Sequence, residues 1–272
     1  MRVVLAELAP RPGDLASNLD RVRAVAAAAT PADLLVFPEL FLSGYRIGDR
    51  VHRLALRDGD ASAAALRAIA HDSRATLVVG APFASPARAG EVHNAAIAVR
   101  PDGDVHVQVK RYLPTFGPFE EGAQFTPTDA SEPMPLAAHS VGLEICYDVF
   151  FPEVSRGLAL AGAELLVVLS ASPVTSGRLF QRLLPARAIE NAVPVVFVNR
   201  VGVEDGLVFA GESGAWDARG EPIARAPVDG VALGPDESLT RAEIDLAESA
   251  RWRPFRPVLR DVATRPAASP SA

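Results

Sequence analysis

Apolar residues fall along the chain in short runs separated by polar stretches, the spacing of buried strands. The pattern predicts strands over Arg2–Leu8, Leu34–Phe37, Thr76–Gly80, Ala95–Arg100, Val105–Val109, Val141–Ile145, Leu165–Leu169, Val195–Asn199, Leu207–Ala210 and Thr240–Asp245. Helical patterns lie between several of them. Asp14–Ala29 carries Leu15, Leu19, Val22 and Val25 on one face, and Ala61–Asp72 carries Leu66 and Ile69. Pro152–Gly162 opens with Pro and Glu and closes at glycine, as helices often do. Gly177–Ala192 is a further helix, which Pro185 is expected to kink or split. "RPDGDV" (Arg100–Val105) and "DARGEP" (Asp217–Pro222) read as hairpin turns. Strands alternating with helices, plus hairpins, predict an α/β fold with mixed sheets. No composition shift interrupts residues 1–258, which read as one domain. Residues 259–272, rich in Pro, Ala and Arg, read as a flexible C-terminal tail, or one ordered only against a partner.

Composition narrows the function. The chain has 272 residues, 49% hydrophobic and 22% charged, enough for a substantial core. Its net charge of −6, without a basic cluster, argues against nucleic acid as a partner. No apolar run is long enough for a membrane span. "RVVLAEL" reads as a strand and not as a signal peptide. A single cysteine cannot close an internal disulfide, so a cytoplasmic home is expected. Of 27 basic residues only Lys110 is lysine. In a chain so biased toward arginine, a lysine persists either by chance or where a compact ammonium is needed and a planar fork fails.

Cys146, the only cysteine, ends the apolar run "VGLEI" just before a helix. A strand end next to a helix N-terminus favours a thiolate nucleophile, although most free cysteines are small buried hydrophobes. A thiol nucleophile needs a base, and the oxyanion it creates needs a cation. His52, His71, His93, His106 and His139 are scattered, outside any motif and without metal-ligand spacing, so no metal site is expected. Glu39, in "LLVFPELFLSGY", follows an apolar strand and has Leu40, Phe41 and Leu42 behind it. It suits a general base, or a plain helix-start glutamate after proline. Lys110 ends "VHVQV" and precedes "RYLPTFGPFEEGAQF", a loop of aromatics, Pro and Gly that reads as a pocket wall.

Glu39, Lys110 and Cys146 each lie just past an apolar strand, in that order, and here the chain resembles the nitrilase superfamily of carbon–nitrogen hydrolases. The resemblance runs from Arg2 to about Phe255. It rests on "FPELFLSGY", "HNAAIAVRPDGDVHVQVKRYLP", "GLEICYDVFFPEVSRGLALAGAELLVVLSASP", "RAIEN", "VNRVG" and "GESGAWDARGEPIA", all in order. It implies a four-layer α-β-β-α sandwich assembled as a homodimer or higher homo-oligomer, and a cofactor-free Glu–Lys–Cys catalytic set. Glu39 would move the proton, Cys146 would form a thioester, and Lys110 with the Tyr147 backbone N–H would hold the oxyanion. The family's fourth carboxylate falls on Glu121, four residues before Phe125, with Glu120 as the fallback.

Cys146-Tyr147-Asp148 is similar to the amidase and carbamoylase branches, where nitrilases tend to read Cys-Trp-Glu. Relatives that take carboxylate-bearing substrates often carry an arginine a few residues later, where this chain has Val149, Phe150 and Phe151. The substrate is therefore expected to be a small amide with an apolar or aromatic acyl group. Tyr45, Phe116, Phe119, Tyr147, Phe150 and Ser172 are the expected substrate-binding residues. The loop "LPTFGPFEEGAQF" also resembles the glutamine-hydrolysing domain of NAD synthetases, but no phosphate-binding glycine motif occurs in the chain. An N-carbamoyl hydrolase, a nitrilase or an acyltransferase would use the same scaffold. A binding protein or a redox-sensing thiol is the alternative of a different class. A redox sensor would need neither Glu39 nor Lys110.

Overall fold

In the computed structural model, which describes residues 1–226, 229–234 and 236–264, the apolar runs form two mixed sheets. The first holds β1 (Arg2–Glu7), β2 (Leu34–Val36), β3 (Thr76–Ala84), β4 (Val92–Val99) and β5 (Val105–Val109). β14 (Gly230–Ala232) and β15 (Ser238–Glu243) complete it, in the order β14-β15-β1-β2-β3-β4-β5. The second holds β6 (Met134–Leu136), β7 (His139–Ile145), β8 (Leu165–Ser170), β9 (Val195–Asn199), β12 (Gly214–Trp216) and β13 (Pro222–Arg225), in the order β13-β12-β9-β8-β7-β6. β10 (Val203–Glu204) and β11 (Leu207–Val208) make a separate small hairpin. β1–β2–β3 and β7–β8–β9 run parallel in the sheet centres.

Side-chain alternation builds the layers. On β1, Val4 and Ala6 pack outward under helices α1 (Leu15–Ala29) and α3 (Ala61–Ser73). Val3 and Leu5 pack inward against Leu143, Leu169 and Val196 of the other sheet. On the far face, Val168 and Phe197 lie under α5 (Pro152–Leu160) and α6 (Gly177–Asn191) through Leu158, Leu184 and Ala188. The result is helix, sheet, sheet, helix. Strands covered on both faces cannot alternate polar with apolar, which is why Leu165–Ser170 is buried throughout. Asp14 and Asp60 cap α1 and α3 by accepting from Ser17 N at 3.0 Å and Ala63 N at 2.7 Å. The other α-helical segments are the short turns α2 (Val51–Leu54) and α4 (Glu121–Gln124) and the C-terminal helices α7 (Ala247–Trp252) and α8 (Val258–Thr264).

Three expectations change. Pro185 does not split its helix, since α6 runs unbroken from Gly177 to Asn191. Phe180 and Leu184 anchor it before the proline and Arg187, Ala188 and Asn191 after it, so burial on both sides outweighs a proline penalty of about 3 kcal/mol. The chain does not turn irregular at residue 259. Leu259 packs against the α5–α6 layer and α8 continues to Thr264, while residues 265–272 of the expected tail lie outside the described residues. The expected strand Leu207–Ala210 shrinks to Leu207–Val208.

Candidate active site

β5 runs parallel to β3, because two antiparallel pairings intervene. The carboxyl ends of β2 and β5 therefore share one end of the first sheet, and those of β7 and β8 share one end of the second. Glu39, Lys110 and Cys146 follow β2, β5 and β7, the position where α/β folds expose chemistry.

Glu39 and Lys110 are fully buried, and Glu121, the first residue of α4, nearly so. Lys110 Nζ donates to Glu39 Oε1 at 2.6 Å and to Glu121 Oε1 at 2.7 Å. Asn94 Nδ2, from β4, bridges the carboxylates at 2.8 Å from Glu39 Oε1 and 3.3 Å from Glu121 Oε2. The Ala171 backbone N–H donates to Glu39 Oε2 at 2.8 Å, and Tyr45 OH donates to Glu121 Oε1 at 2.5 Å. The buried ammonium thus donates to two carboxylates, which are themselves held by Asn94, Tyr45 and the Ala171 N–H.

The electrostatics follow from this packing. Burial opposes the Lys110 charge most strongly, yet Glu121 and Glu39 together hold its pKa above the ordinary lysine value. Burial raises Glu121, Lys110 pulls it back, and Glu39 raises it further. Burial and the carboxylates Glu121 and Glu39 lift Tyr45 well above its ordinary value, so its hydroxyl stays a donor. The thiol departs from the sequence expectation. Burial, then Glu39, push Cys146 up, while Lys110 and the Ser170 hydroxyl pull down. A thiol held toward its neutral form is suited to giving up its proton during a reaction and not before it.

Backbone geometry fixes these groups. Cys146 adopts φ +49° between β7 and a tight 3₁₀ turn, a left-handed conformation that holds only where the surroundings enforce it. Gly80 on β3 passes directly under the Glu39 loop. A Cβ there would lie 2.3 Å from Pro38 O and 2.6 Å from Glu39 Cα.

A cavity of about 130 Å³ opens at Cys146. Tyr45, Phe116, Phe119, Tyr147, Phe150 and Ser172, the six residues expected to meet substrate, all line it, with Pro114, Pro173, Ser176, Leu179 and Phe180. Glu120 and Glu121 both line a neighbouring polar cavity with Arg46, Gln124 and Asp205. Of the two glutamates, Glu121 is the one that bonds Lys110, at 2.7 Å. None of the lining residues at Cys146 is charged. Val149 is buried in the helix-side core, and Phe151 stacks on Tyr112 at 3.5 Å between centroids.

The model of the carbon-nitrogen hydrolase family matches residues 2–254. The chain belongs to that family. Among its carbon-nitrogen hydrolase relatives is an (R)-stereoselective amidase from Pseudomonas sp, 36% identical over 90% of this chain and 85% of the other. A glutamine-dependent NAD(+) synthetase from Rhodobacter capsulatus is 34% identical over 93% of this chain, which spans 45% of that protein. A similar solved structure is a mutant of the amidase from Nesterenkonia sp. AN1 with the acetamide moiety of fluoroacetamide added covalently at its active site cysteine. It is 31% identical, covers 94% of this chain and 95% of its own, and superposes with a TM-score of 0.78. The nitrilase-superfamily resemblance and the α-β-β-α fold both hold. Among the described residues no helix is long and apolar enough to cross a membrane.

Sequence reasoning about this carbon-nitrogen hydrolase missed Asn94, Gly80, Ser170 and Asp148 as parts of the site. Asn94 carried a usable signal, because an amide in the otherwise apolar run "NAAIAV" must find buried partners. Gly80 and Asp148 carry none, since what they meet comes from segments distant in the sequence.

Proposed function

We propose that this carbon-nitrogen hydrolase is a cofactor-free thiol amidohydrolase that cleaves the non-peptide C–N bond of a small amide with an apolar or aromatic acyl group. The observation that carries the reading is the buried Lys110 ammonium shared by Glu39 and Glu121 beside an apolar cavity that ends at Cys146.

The Cys146 sulfur attacks the carbonyl carbon as its proton passes to Glu39, and the carbonyl π pair becomes an oxyanion. Lys110 and the Tyr147 N–H stabilise that oxyanion, and preorganised donors of this kind are worth roughly 3 kcal/mol each. Collapse breaks the C–N bond, with the proton on Glu39 passing to the leaving nitrogen. Ammonia or an amine departs and a thioester remains. A water then gives a proton to Glu39 and attacks the thioester. The acid leaves and the proton returns to sulfur. Glu121 and Asn94 hold Lys110 and Glu39 in register throughout.

The amidase relatives, and the covalent adduct at the cysteine of one of them, support an amide as substrate. An anionic substrate would leave a carboxylate without a countercharge in an apolar cavity, which is costly. That weighs against carboxylate-bearing carbamoyl compounds. The same thioester would serve acyl transfer if an amine replaced water. The reading keeps the cytoplasmic location and the homo-oligomer expected from sequence. The test is ammonia release from aliphatic and aromatic amides, carbamoyl compounds, nitriles and glutamine, with Cys146→Ala in parallel. Turnover of apolar amides that vanishes in the variant is the expected result. No turnover of any amide by folded protein would overturn the reading.

A further inference from the structure

Lys110 and Cys146 stand on different sheets, at the ends of β5 and β7. Their mutual placement therefore depends on something that crosses between the sheets. Glu39 does so from Lys110 to the Ala171 N–H, and a second carboxylate, Asp148, does so between the segments that flank Lys110 and Cys146. Asp148 is 1% exposed. Its Oδ1 accepts the backbone N–H of Arg111 at 3.1 Å and of Tyr112 at 2.9 Å, the two residues after Lys110. Its Oδ2 accepts the N–H of Ile145 at 3.3 Å, the residue before Cys146. Three backbone donors flanking two reacting groups thus converge on one side chain, and an anionic acceptor makes the stronger bonds.

We propose that Asp148 is a positioning residue for the reaction, a tether that sets the Lys110 ammonium against the Cys146 thiol. The inference rests on the hydrolase mechanism proposed above. The bond to Ile145 also closes the turn in which Cys146 holds φ +49°, so the strained nucleophile and the oxyanion cation share one support. Without the carboxylate, the donors of Arg111 and Tyr112 lose their acceptor and the Lys110 strand end is free to shift. A misplacement near 1 Å costs about a hundredfold in rate.

The test uses Asp148→Asn, which keeps the shape but offers one acceptor oxygen and adds an N–H group facing donors. Asp148→Glu, which keeps the charge but displaces it, is the second variant if the first does not fold. Two readouts apply well below the thermal midpoint of each protein. With the best amide, kcat is expected to fall about a hundredfold while KM stays within about threefold, since the cavity walls are untouched. Because Cys146 is the only cysteine, iodoacetamide reports on it alone, and alkylation is expected to slow by about tenfold. Wild-type rates for both measurements in a folded variant would overturn the tether. So would activity that falls only in proportion to the unfolded fraction. The alkylation readout stands even if the wild type turns over no amide, so failure of the tether and failure of the hydrolase reading are told apart.

Discussion

Glu39 Oε1 sits 2.6 Å from Lys110 Nζ, and neither side chain is exposed to solvent. A buried charge is tolerable only with its partner, so this pair and Glu121 form one electrostatic unit. The space around the ammonium was shaped for a small group. Lys110→Arg keeps the charge but forces a planar fork among Glu39, Glu121 and Asn94, displacing at least one carboxylate. The expected result is a folded protein whose kcat/KM falls by about 10²-fold or more, the size of one lost oxyanion donor. Steady-state kinetics beside a denaturation curve separate the two effects. An arginine variant with turnover within about threefold of wild type would sink the compact-ammonium argument.

Gly80 faces a harder constraint than any side chain in the site. An added Cβ would meet Pro38 O at 2.3 Å and Leu40 N at 2.4 Å, both backbone atoms that cannot swing away. Gly80→Ala must push the Glu39 loop outward or part β3 from it. The expected loss of stability is about 1–3 kcal/mol, as for other overpacked cores. Turnover should fall further than the folded fraction does, because the displaced segment carries Glu39, the base of the proposed mechanism. Urea unfolding with activity measured per folded molecule checks this. Unchanged specific activity would mean that the loop tolerates the shift.

Composition made Lys110 and Cys146 stand out and an apolar strand pointed to Glu39, but each kept a bland reading until the family resemblance grouped them as one candidate site. Local pattern also carried the long helices, whose Asp14 and Asp60 caps sit where the pattern begins. What stayed hidden depends on contacts between distant segments. Gly80 looks like any strand-end glycine until the Glu39 loop lies on it. Asp148 looks like a turn residue until the β5 end arrives. The short strands Gly214–Trp216 and Pro222–Arg225 exist because β9 supplies a pairing edge, not because three or four residues carry a period. Pro185 misled in the other direction as to a split, because packing on both sides of it keeps the helix continuous.

Glu144 links stability to pH. It is fully buried on β7, accepts from Ser155 Oγ at 3.0 Å through Oε2, and its Oε1 has no partner. Burial pushes its carboxyl up to about 8. Ser155 and Arg187 oppose this, and Asp148 and Glu190 add to it. Between the ordinary glutamate value and about 8, the folded chain keeps a proton that the unfolded chain has shed. Stability therefore falls as pH rises across that window. Asp148, raised to about 7 mainly by burial, works in the same direction. Glu144→Gln mimics the protonated form and should flatten part of the slope. Thermal midpoints at about pH 6 and about pH 9 are expected to differ less in the variant than in wild type, with the variant ahead at the higher pH. Parallel slopes would remove Glu144 from the pH response.

Phe116 tests the substrate class. Its ring is 52% exposed at the cavity mouth, edge-on to Phe119 at 5.7 Å and to Tyr147 at 5.4 Å. A half-exposed aromatic gains most when a ligand covers it, so an aromatic acyl group should bury this ring while acetamide should not reach it. Phe116→Ala is expected to lower kcat/KM for aromatic amides by about 10- to 200-fold, the range for lost apolar contact in a pocket, and to leave acetamide within about threefold. The split matters more than the size. An equal loss on both substrates would mean that Phe116 holds the loop around Phe119 in shape. No loss on either would place the acyl group elsewhere and remove the aromatic cavity from the specificity argument.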